Sequence, residues 1–206
     1  MKLIKLSLVT TLLASSLLAS QTANEAISVS GDVTFTSNSL WRGGSGTNNS
    51  ATVQGTLGIE HESGVYAGMW GTGMSTGTEI DLYAGYAKEI SGLGIDAGFV
   101  TYTTTGVDGT NEDFKHTFDG SGELYLGASY DVGVELGAMV YVEVLDSDSD
   151  SMLVDLTVDK SFGSFYAGAI YGLQMDEDSG NSYYSVTLGN SFESINGDLS
   201  LNYQQS

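Results

Sequence analysis

The chain has 206 residues, with 26 acidic and 6 basic side chains and a formal net charge of −20. This charge excludes nucleic acid as a partner, because binding to phosphate groups requires a basic surface. The absence of cysteine excludes disulfides, thiolate metal sites and a cysteine nucleophile. The near-zero mean hydropathy and the lack of a long apolar run exclude a helical membrane protein, whereas 28 glycines and no proline favour uninterrupted strands.

Residues 1–23 have the organisation of a signal peptide. Two lysines precede an apolar stretch at 6–19, which is too short to cross a bilayer as a helix, and small residues follow it. Cleavage is expected between residues 19 and 26. An ordinary amphipathic or core helix is the disfavoured alternative, because the segment contains no acidic residue. We therefore predict an exported protein whose mature chain is one domain over 24–206.

The mature chain shows the two-residue period of strands with unlike faces. Apolar residues alternate with polar or small ones, as at Val134, Leu136 and Ala138, and helical spacing fits none of these segments. In chain order the predicted strands cover 27–37, 51–61, 64–73, 78–88, 94–104, 120–130, 134–145, 151–160, 164–173, 182–190 and 196–203. Each has about ten residues, the length that a tilted strand needs to cross a bilayer.

The connections between the predicted strands alternate in length. Short turns fall at 62–63, 90–93, 131–133, 161–163 and 192–196. Longer polar connections fall at 38–50, 73–77, 105–119, 146–151 and 175–181. Short turns on one side and longer loops on the other are typical of outer-membrane barrels. Because single-chain bacterial barrels have even strand numbers, we predict an antiparallel transmembrane β-barrel of 10–12 strands, either twelve or an irregular closure of the eleven counted.

The acidic residues follow the same period. Ten of them lie within strands on the face opposite the apolar row, where a barrel would place them in the lumen and away from lipid. These predicted pore-lining residues are Asp32, Glu60, Glu79, Asp81, Asp96, Glu123, Glu135, Glu143, Asp155 and Asp159. A soluble exported β-sandwich shows the same alternation, so the loop lengths and the charge pattern are what favour the membrane.

Aromatic residues gather near both ends of the predicted strands, as in the two interfacial girdles of membrane barrels. The girdle candidates are Tyr66, Tyr130, Phe162, Phe165 and Phe192 by the short turns, and Phe35, Trp41, Trp70, Tyr102, Tyr171 and Tyr184 toward the loops. By strand parity six aromatic residues share the inward face, namely Tyr66, Trp70, Tyr83, Tyr125, Tyr141 and Tyr166. These rings would block a small lumen, and inward glycines at 68, 98, 137 and 168 are expected to reopen space.

Several stretches together resemble a known family. They are residues 40–44 (LWRGG), 53–55 (VQG), 60–71 (EHESGVYAGMWG), 79–86 (EIDLYAGY) and 122–127 (GELYLG). These stretches resemble the TorF family of porins, which are proteobacterial outer-membrane proteins. The resemblance implies an outer-membrane β-barrel that acts as a channel, and it brings no catalytic residues. The chain lacks the proline expected before Val53 and the further strand, ending in an aromatic residue, expected after Ser206.

These observations predict a porin-like channel in the outer membrane of a Gram-negative bacterium, open to passive diffusion of small solutes or ions. Because acids dominate the predicted lumen, the channel is expected to prefer cations. Arg42, in the first long loop, is interpreted as an exposed loop residue in preference to a residue that folds inward and pairs with lumen acids at a constriction. The expected partners are outer-membrane lipid, lipopolysaccharide and small solutes or cations. The alternative is a non-conducting barrel with a structural or surface-binding role.

No residue pattern indicates an enzyme, a cofactor or a strong metal site. The chain has only two histidines, His61 and His116, and nothing singles out a Ser–His–Asp arrangement, a phosphate-binding loop or a dinucleotide fingerprint. Residues 146–150 (DSDSD) place acids at positions 1, 3 and 5 of a calcium-like loop, but the sixth and twelfth positions lack Gly and Glu. A solvated loop is favoured there, and at the acidic segment 176–178, over weak divalent-ion binding at lipopolysaccharide phosphates.

Overall fold

A computed structural model of the protein describes residues 26–105, 121–145, 151–176 and 180–206. The predicted signal peptide at 1–23 lies outside these described residues, as do the acidic loop 146–150 and His116. Among the described residues, no helix is both long and apolar enough to cross a membrane.

The fold is a single antiparallel sheet of eleven strands, in which each strand pairs with its neighbour along the chain. These strands are β1 (Ile27–Thr36), β4 (Thr52–His61), β5 (Val65–Met74), β6 (Gly77–Ile90), β7 (Leu93–Thr105), β8 (Ser121–Asp131), β9 (Glu135–Glu143), β10 (Met152–Phe162), β11 (Phe165–Met175), β12 (Gly180–Phe192) and β13 (Gly197–Gln205). A separate hairpin of β2 (Leu40–Trp41) and β3 (Gly44–Ser45) lies in the first long connection, and a 3-10 turn spans Glu193–Ile195. The predicted all-β antiparallel fold is confirmed.

Several strands extend past their predicted ends because strand pairing continues into the turns, and two connections illustrate this. The ladder of β6 and β7 reaches the pair Ile90 and Leu93, so the turn consists of Ser91 and Gly92, both with positive φ. Such mirror-image turns match the twist of the strands and let the ladder run to its end. The ladder of β5 and β6 likewise reaches the pair Met74 and Gly77, so the longer loop predicted at 73–77 is a two-residue connection.

The sheet carries most of its large apolar side chains on the outside and its acidic side chains on the inside. Along β8, Leu126 is 60% exposed whereas Tyr125 is 4% exposed, and this contrast follows the two-residue period of the strand. The buried polar residues include Asp96, Glu123 and Asp155. Inward side chains of non-neighbouring strands touch, because the sheet is curved: the Tyr66 hydroxyl on β5 bonds that of Tyr125 on β8.

The prediction of a closed barrel is not confirmed. β1 and β13 stand at the two ends of the strand order, and no ladder joins them among the described residues. Both strands start at the end of the sheet that holds the β4–β5 and β6–β7 turns, which we call the short-turn end. The opposite end is called the long-loop end. An odd number of antiparallel strands makes the two edge strands parallel to each other.

Inward tyrosines lie over glycines of the neighbouring strand. The cross-strand pairs are Tyr66 with Gly85, Tyr83 with Gly68, Tyr125 with Gly98, Tyr166 with Gly189, and Tyr183 with Gly172. A Cβ atom at Gly98 would lie 2.5 Å from Cζ of Tyr125 and 2.6 Å from the carbonyl oxygen of Ala84. The expectation that Gly68 and Gly98 reopen the interior is therefore wrong, because aromatic rings occupy the space that these glycines leave.

We expect Gly98→Ala to lower the free energy of unfolding by about 1–3 kcal/mol, because the added methyl group forces the Tyr125 ring out of its place. Gly71→Ala is the matched control, since Gly71 faces outward on β5 and the nearest atom to its Cβ would be 3.4 Å away. Unfolding followed by circular dichroism measures both variants. Equal stability of the two variants would contradict a stabilising role for tyrosine packing over glycine.

Candidate functional site

The site is built around the tip of the β2–β3 hairpin. Arg42 and Gly43 form its two-residue turn with φ of 46° and 84°, and the pair Trp41–Gly44 closes this turn. Positive φ at both positions is the requirement of a mirror-image hairpin turn, and Gly43 meets it without strain. The Gly43 amide donates a hydrogen bond of 3.0 Å to Oε1 of Gln204 on β13. The hairpin therefore reaches across to the far edge of the sheet.

Asn38 holds this hairpin in its folded form. Its Oδ1 accepts hydrogen bonds from the hydroxyls of Ser45 at 2.6 Å and Thr47 at 2.8 Å, and its Nδ2 donates to Oδ1 of Asn49 at 2.9 Å. The Thr47 hydroxyl oxygen also accepts the Ser39 amide at 3.1 Å. A small polar loop thus gains a defined shape from one asparagine side chain.

Arg42 forms a buried ion pair with Glu123 of β8. The guanidinium donates two parallel hydrogen bonds, from Nη1 to Oε1 at 2.8 Å and from Nη2 to Oε2 at 2.7 Å, and the Tyr102 hydroxyl donates to Oε2 at 2.6 Å. The side chains of the ion pair are 12% and 7% exposed. This two-pronged geometry is the strongest arrangement open to an arginine and a carboxylate. The interpretation of Arg42 as an exposed loop residue is therefore wrong.

Aromatic rings surround the guanidinium. Its Cζ lies 4.4 Å from the ring centre of Trp41 and 5.1 Å from that of Tyr141, distances at which a cation attracts the face of a ring. Burial lowers the pKa of Arg42, but the hydrogen bond to Glu123 and the neighbouring acidic groups outweigh it and raise the pKa above its ordinary value. The positive charge is therefore permanent.

A second tyrosine–carboxylate contact lies beside this cluster. The Tyr183 hydroxyl donates to Oδ1 of Asp155 at 2.7 Å, and both residues are buried, at 6% and 2% exposure. Together with Val100, Tyr125, Met139, Tyr141 and Leu153, Tyr183 forms the buried apolar cluster inside the curve of the sheet. These side chains fill part of the interior over β7–β12.

The register places all ten predicted pore-lining acids on the inward side of the sheet. Asp81, Asp96, Glu123 and Asp155 are buried, Glu60 is exposed, and the other five are half-buried. Whether they line an open pore stays a prediction. The structure divides most of them into three groups: the Arg42 cluster, a recess at the short-turn end, and a pair on β6.

The recess at the short-turn end has three carboxylates in its lining. Asp96, Glu135 and Asp159 line it together with small residues such as Gly94 and Gly127, and its volume is about 420 Å³ including the open mouth. The Asp96 carboxylate accepts a hydrogen bond of 2.6 Å from the Tyr66 hydroxyl. The pair on β6 is Glu79 and Asp81, and Trp70 of β5 lies directly across from Asp81.

Three of the girdle predictions are wrong. Tyr66, Trp70 and Tyr102 lie on the inward side, where Tyr66 bonds Asp96 and Tyr102 bonds Glu123. The two-residue period of the strand predicts the side of each residue. On β7 it places Asp96 and Tyr102 on the same inward face, and on β5 it places Trp70 inward as well. Tyr183 is not among the aromatic residues predicted to face inward, although the same count separates it from its outward neighbour Tyr184.

The remaining girdle candidates carry exposed rings. They are Phe35, Trp41, Tyr130, Phe162, Phe165, Tyr171, Tyr184 and Phe192. Among the described residues, no group of three or more acidic or histidine side chains is arranged to hold a metal ion.

Residues 20–201 match the model of a family described as "Bacterial protein of unknown function (Gcw_chp)". The chain belongs to this family. The matched range contains the hairpin with Arg42 and every strand that contributes an acid to the site. No curated protein and no solved structure matches the chain. The family description assigns no activity, and the resemblance to TorF porins stays a prediction.

We expect Arg42→Ala to destabilise the protein by about 3 kcal/mol, because it leaves the buried Glu123 carboxylate without its counterion. In a Trp70→Phe background Trp41 is the only tryptophan, and its emission should shift to longer wavelength when the packed guanidinium is lost. Lys88→Ala is the control, since Lys88 is an exposed cation on β6. Unchanged Trp41 emission and thermal stability in Arg42→Ala would disprove the buried ion pair.

Proposed function

We propose that this chain is an outer-membrane β-barrel that lets small cations diffuse passively, with its lumen narrowed by the Arg42 hairpin. The observation that carries the proposal is the inverted distribution of side chains, apolar outside and acidic inside. Lipid requires the first feature, and a water-filled lumen with a preference for cations requires the second.

The outward face supports contact with lipid. Large apolar side chains such as Leu57, Leu126, Leu188 and Leu201 are more than half exposed, and they extend over the whole sheet. Such a surface far exceeds the apolar patches of a few hundred Å² that soluble monomers expose. Aromatic rings such as Phe162 stand at the strand ends, at the level where membrane barrels carry their girdles.

The charges on the outward face fit the same environment. Within the described strands, the register leaves only two Asp, Glu, Lys or Arg side chains outward, Lys88 and Lys160, and no acid. Each lies two residues from the end of its strand at the short-turn end. Long lysine side chains there can extend from the apolar zone to the headgroups. A soluble sheet has no reason to restrict its outward charges in this way.

The inward face supports a preference for cations. Of the six basic residues, only Arg42, Lys88 and Lys160 lie among the described residues, and Arg42 alone of these points inward. Glu123 neutralises it. The other inward carboxylates therefore keep a negative field along the interior, which favours cations and repels anions.

A non-conducting barrel with a structural or surface-binding role is the second candidate. The buried cluster of Val100, Tyr125, Met139, Tyr141, Leu153 and Tyr183 favours it, because these side chains fill part of the interior. Conductance separates the two candidates, since both share the membrane-facing exterior.

The first experiment is single-channel recording from the refolded chain in a planar bilayer under a KCl gradient. We expect discrete steps and a cation-selective reversal potential. The triple variant Glu79→Gln, Asp81→Asn, Glu135→Gln should move the reversal potential toward zero, whereas Glu62→Gln, on the β4–β5 turn, should not. Silence from folded, inserted protein would favour the non-conducting barrel, and an unmoved reversal potential would refute the acidic lumen.

Barrel closure is part of the proposal, and the odd strand number requires a parallel seam between β1 and β13. Because the chain has no cysteine, introduced pairs report directly on proximity. Ser30→Cys should form an intramolecular disulfide with Ser200→Cys or Asn202→Cys in the membrane-inserted protein, since all three positions face inward at similar height. Ser129→Cys on β8 is the control partner, which a closed barrel holds across the lumen. Disulfides that form only between molecules would refute the seam.

A further inference from the structure

The β6 carboxylates Glu79 and Asp81 have no cationic partner among the described residues, and Asp81 is the more deeply buried of the two. They stand two positions apart on the same face of one strand, so both side chains extend into the same region of the interior. Of the basic residues in the described part of the chain, Arg42 is engaged on both terminal nitrogens by Glu123, and Lys88 and Lys160 face outward.

One oxygen of this pair lacks any hydrogen-bond partner among the described residues. Asp81 is 9% exposed, and its buried Oδ1 accepts no hydrogen bond there. A buried carboxylate whose oxygen lacks a hydrogen-bond partner is unfavourable in its charged form unless a proton or a cation neutralises it. Neighbouring groups do not, because Trp70 and Tyr102, directly across from Asp81 on β5 and β7, bring no charge.

Neutral oxygen donors stand beside the two carboxylates. Thr72, which is 3% exposed, lies directly across from Glu79, and Gln54 lies across from Thr72 on the next strand. The Thr72 hydroxyl donates to the Gly73 carbonyl at 3.4 Å, so its lone pairs remain able to accept or coordinate. Two carboxylates with hydroxyl and amide oxygens form the hard oxygen set that calcium-like cations prefer.

We propose that Glu79 and Asp81, supported by Thr72 and Gln54, bind a divalent cation of the calcium type on the inward face of β4–β6. Two carboxylates match the charge of one such ion. With only two of them, the affinity is expected in the weak range of about 10⁻⁴–10⁻³ M that extracellular calcium modules show. Burial decreases from Asp81 to Glu79 toward the long-loop end, so the ion enters from that end. This proposal goes beyond the channel, because binding does not require conduction.

The two tryptophans make the site measurable. In a Trp41→Phe background Trp70 is the only tryptophan, and it is the cross-strand neighbour of Asp81. Tb³⁺ substitutes for Ca²⁺ and emits when a nearby indole transfers excitation energy to it. We expect saturable Tb³⁺ emission excited through Trp70 in the refolded full chain, and Ca²⁺ at millimolar concentration should displace the Tb³⁺.

Variants of the carboxylates decide the assignment. Asp81→Asn and Glu79→Gln should each weaken Tb³⁺ binding at least tenfold, whereas Glu135→Gln, in the recess at the short-turn end, should leave it unchanged. Equal binding by Asp81→Asn and the parent, or failure of Ca²⁺ to displace Tb³⁺, would overturn the proposal.

A second measurement avoids both the Trp41 substitution and the lanthanide. Ca²⁺ at millimolar concentration should raise the Tm of the unsubstituted chain, because a ligand that binds only the folded state stabilises it. The same Ca²⁺ should leave the Tm of Asp81→Asn unmoved, and circular dichroism of that variant shows whether it is folded. An equal shift in both proteins would place the ion elsewhere. Both measurements use the protein in detergent micelles and record binding, not conduction. A barrel that does not conduct would therefore give the same results.

Discussion

The hydrogen-bonded ladder of one antiparallel sheet places the carboxylates of the candidate site on one face. Among the described residues only six apolar or aromatic side chains are buried, so a large apolar core does not organise this part of the chain. The ladder satisfies the backbone polar groups, and its two-residue period sends each side chain to one face or the other. A shift of register by one residue would turn the carboxylates outward and the leucines inward. Such a shift is unfavourable because it would move many apolar and many polar side chains to the wrong face at the same time.

Polar groups and aromatic rings fill the interior that a core would otherwise occupy. Tyrosines serve this purpose well, because the ring covers a glycine on the next strand while the hydroxyl reaches a carboxylate, as Tyr66 reaches Asp96 and Tyr183 reaches Asp155. Glycine is needed under the ring because any Cβ there would overlap it, as at Gly85, where the atom would lie 2.6 Å from Cζ of Tyr66. Packing and hydrogen bonding are thus combined in the same cross-strand pairs.

Charge is distributed unevenly around this interior. On the β8 side Arg42 neutralises Glu123, and two aromatic rings flank the guanidinium. On the β6 side Glu79 and Asp81 meet no base within the described part of the chain. The first arrangement ties a loop to the sheet, whereas the second leaves negative charge for a mobile or bound cation to neutralise. The two tryptophans, Trp41 and Trp70, stand one in each region.

The sequence by itself determined the all-β class, the eleven strands and the inward side of the ten acids, because alternation is a local property that each strand displays on its own. The same count places Trp70 inward, as predicted, and applied to β7 it also predicts the inward side of Tyr102. Only the tertiary structure decided that Arg42 folds inward, because the partner of a loop residue, Glu123, is 81 positions away and no local pattern encodes it. The pairing of tyrosines with glycines also required the register between strands. The separation of the edge strands β1 and β13 depends on the curvature of the whole sheet, and no single strand specifies that curvature.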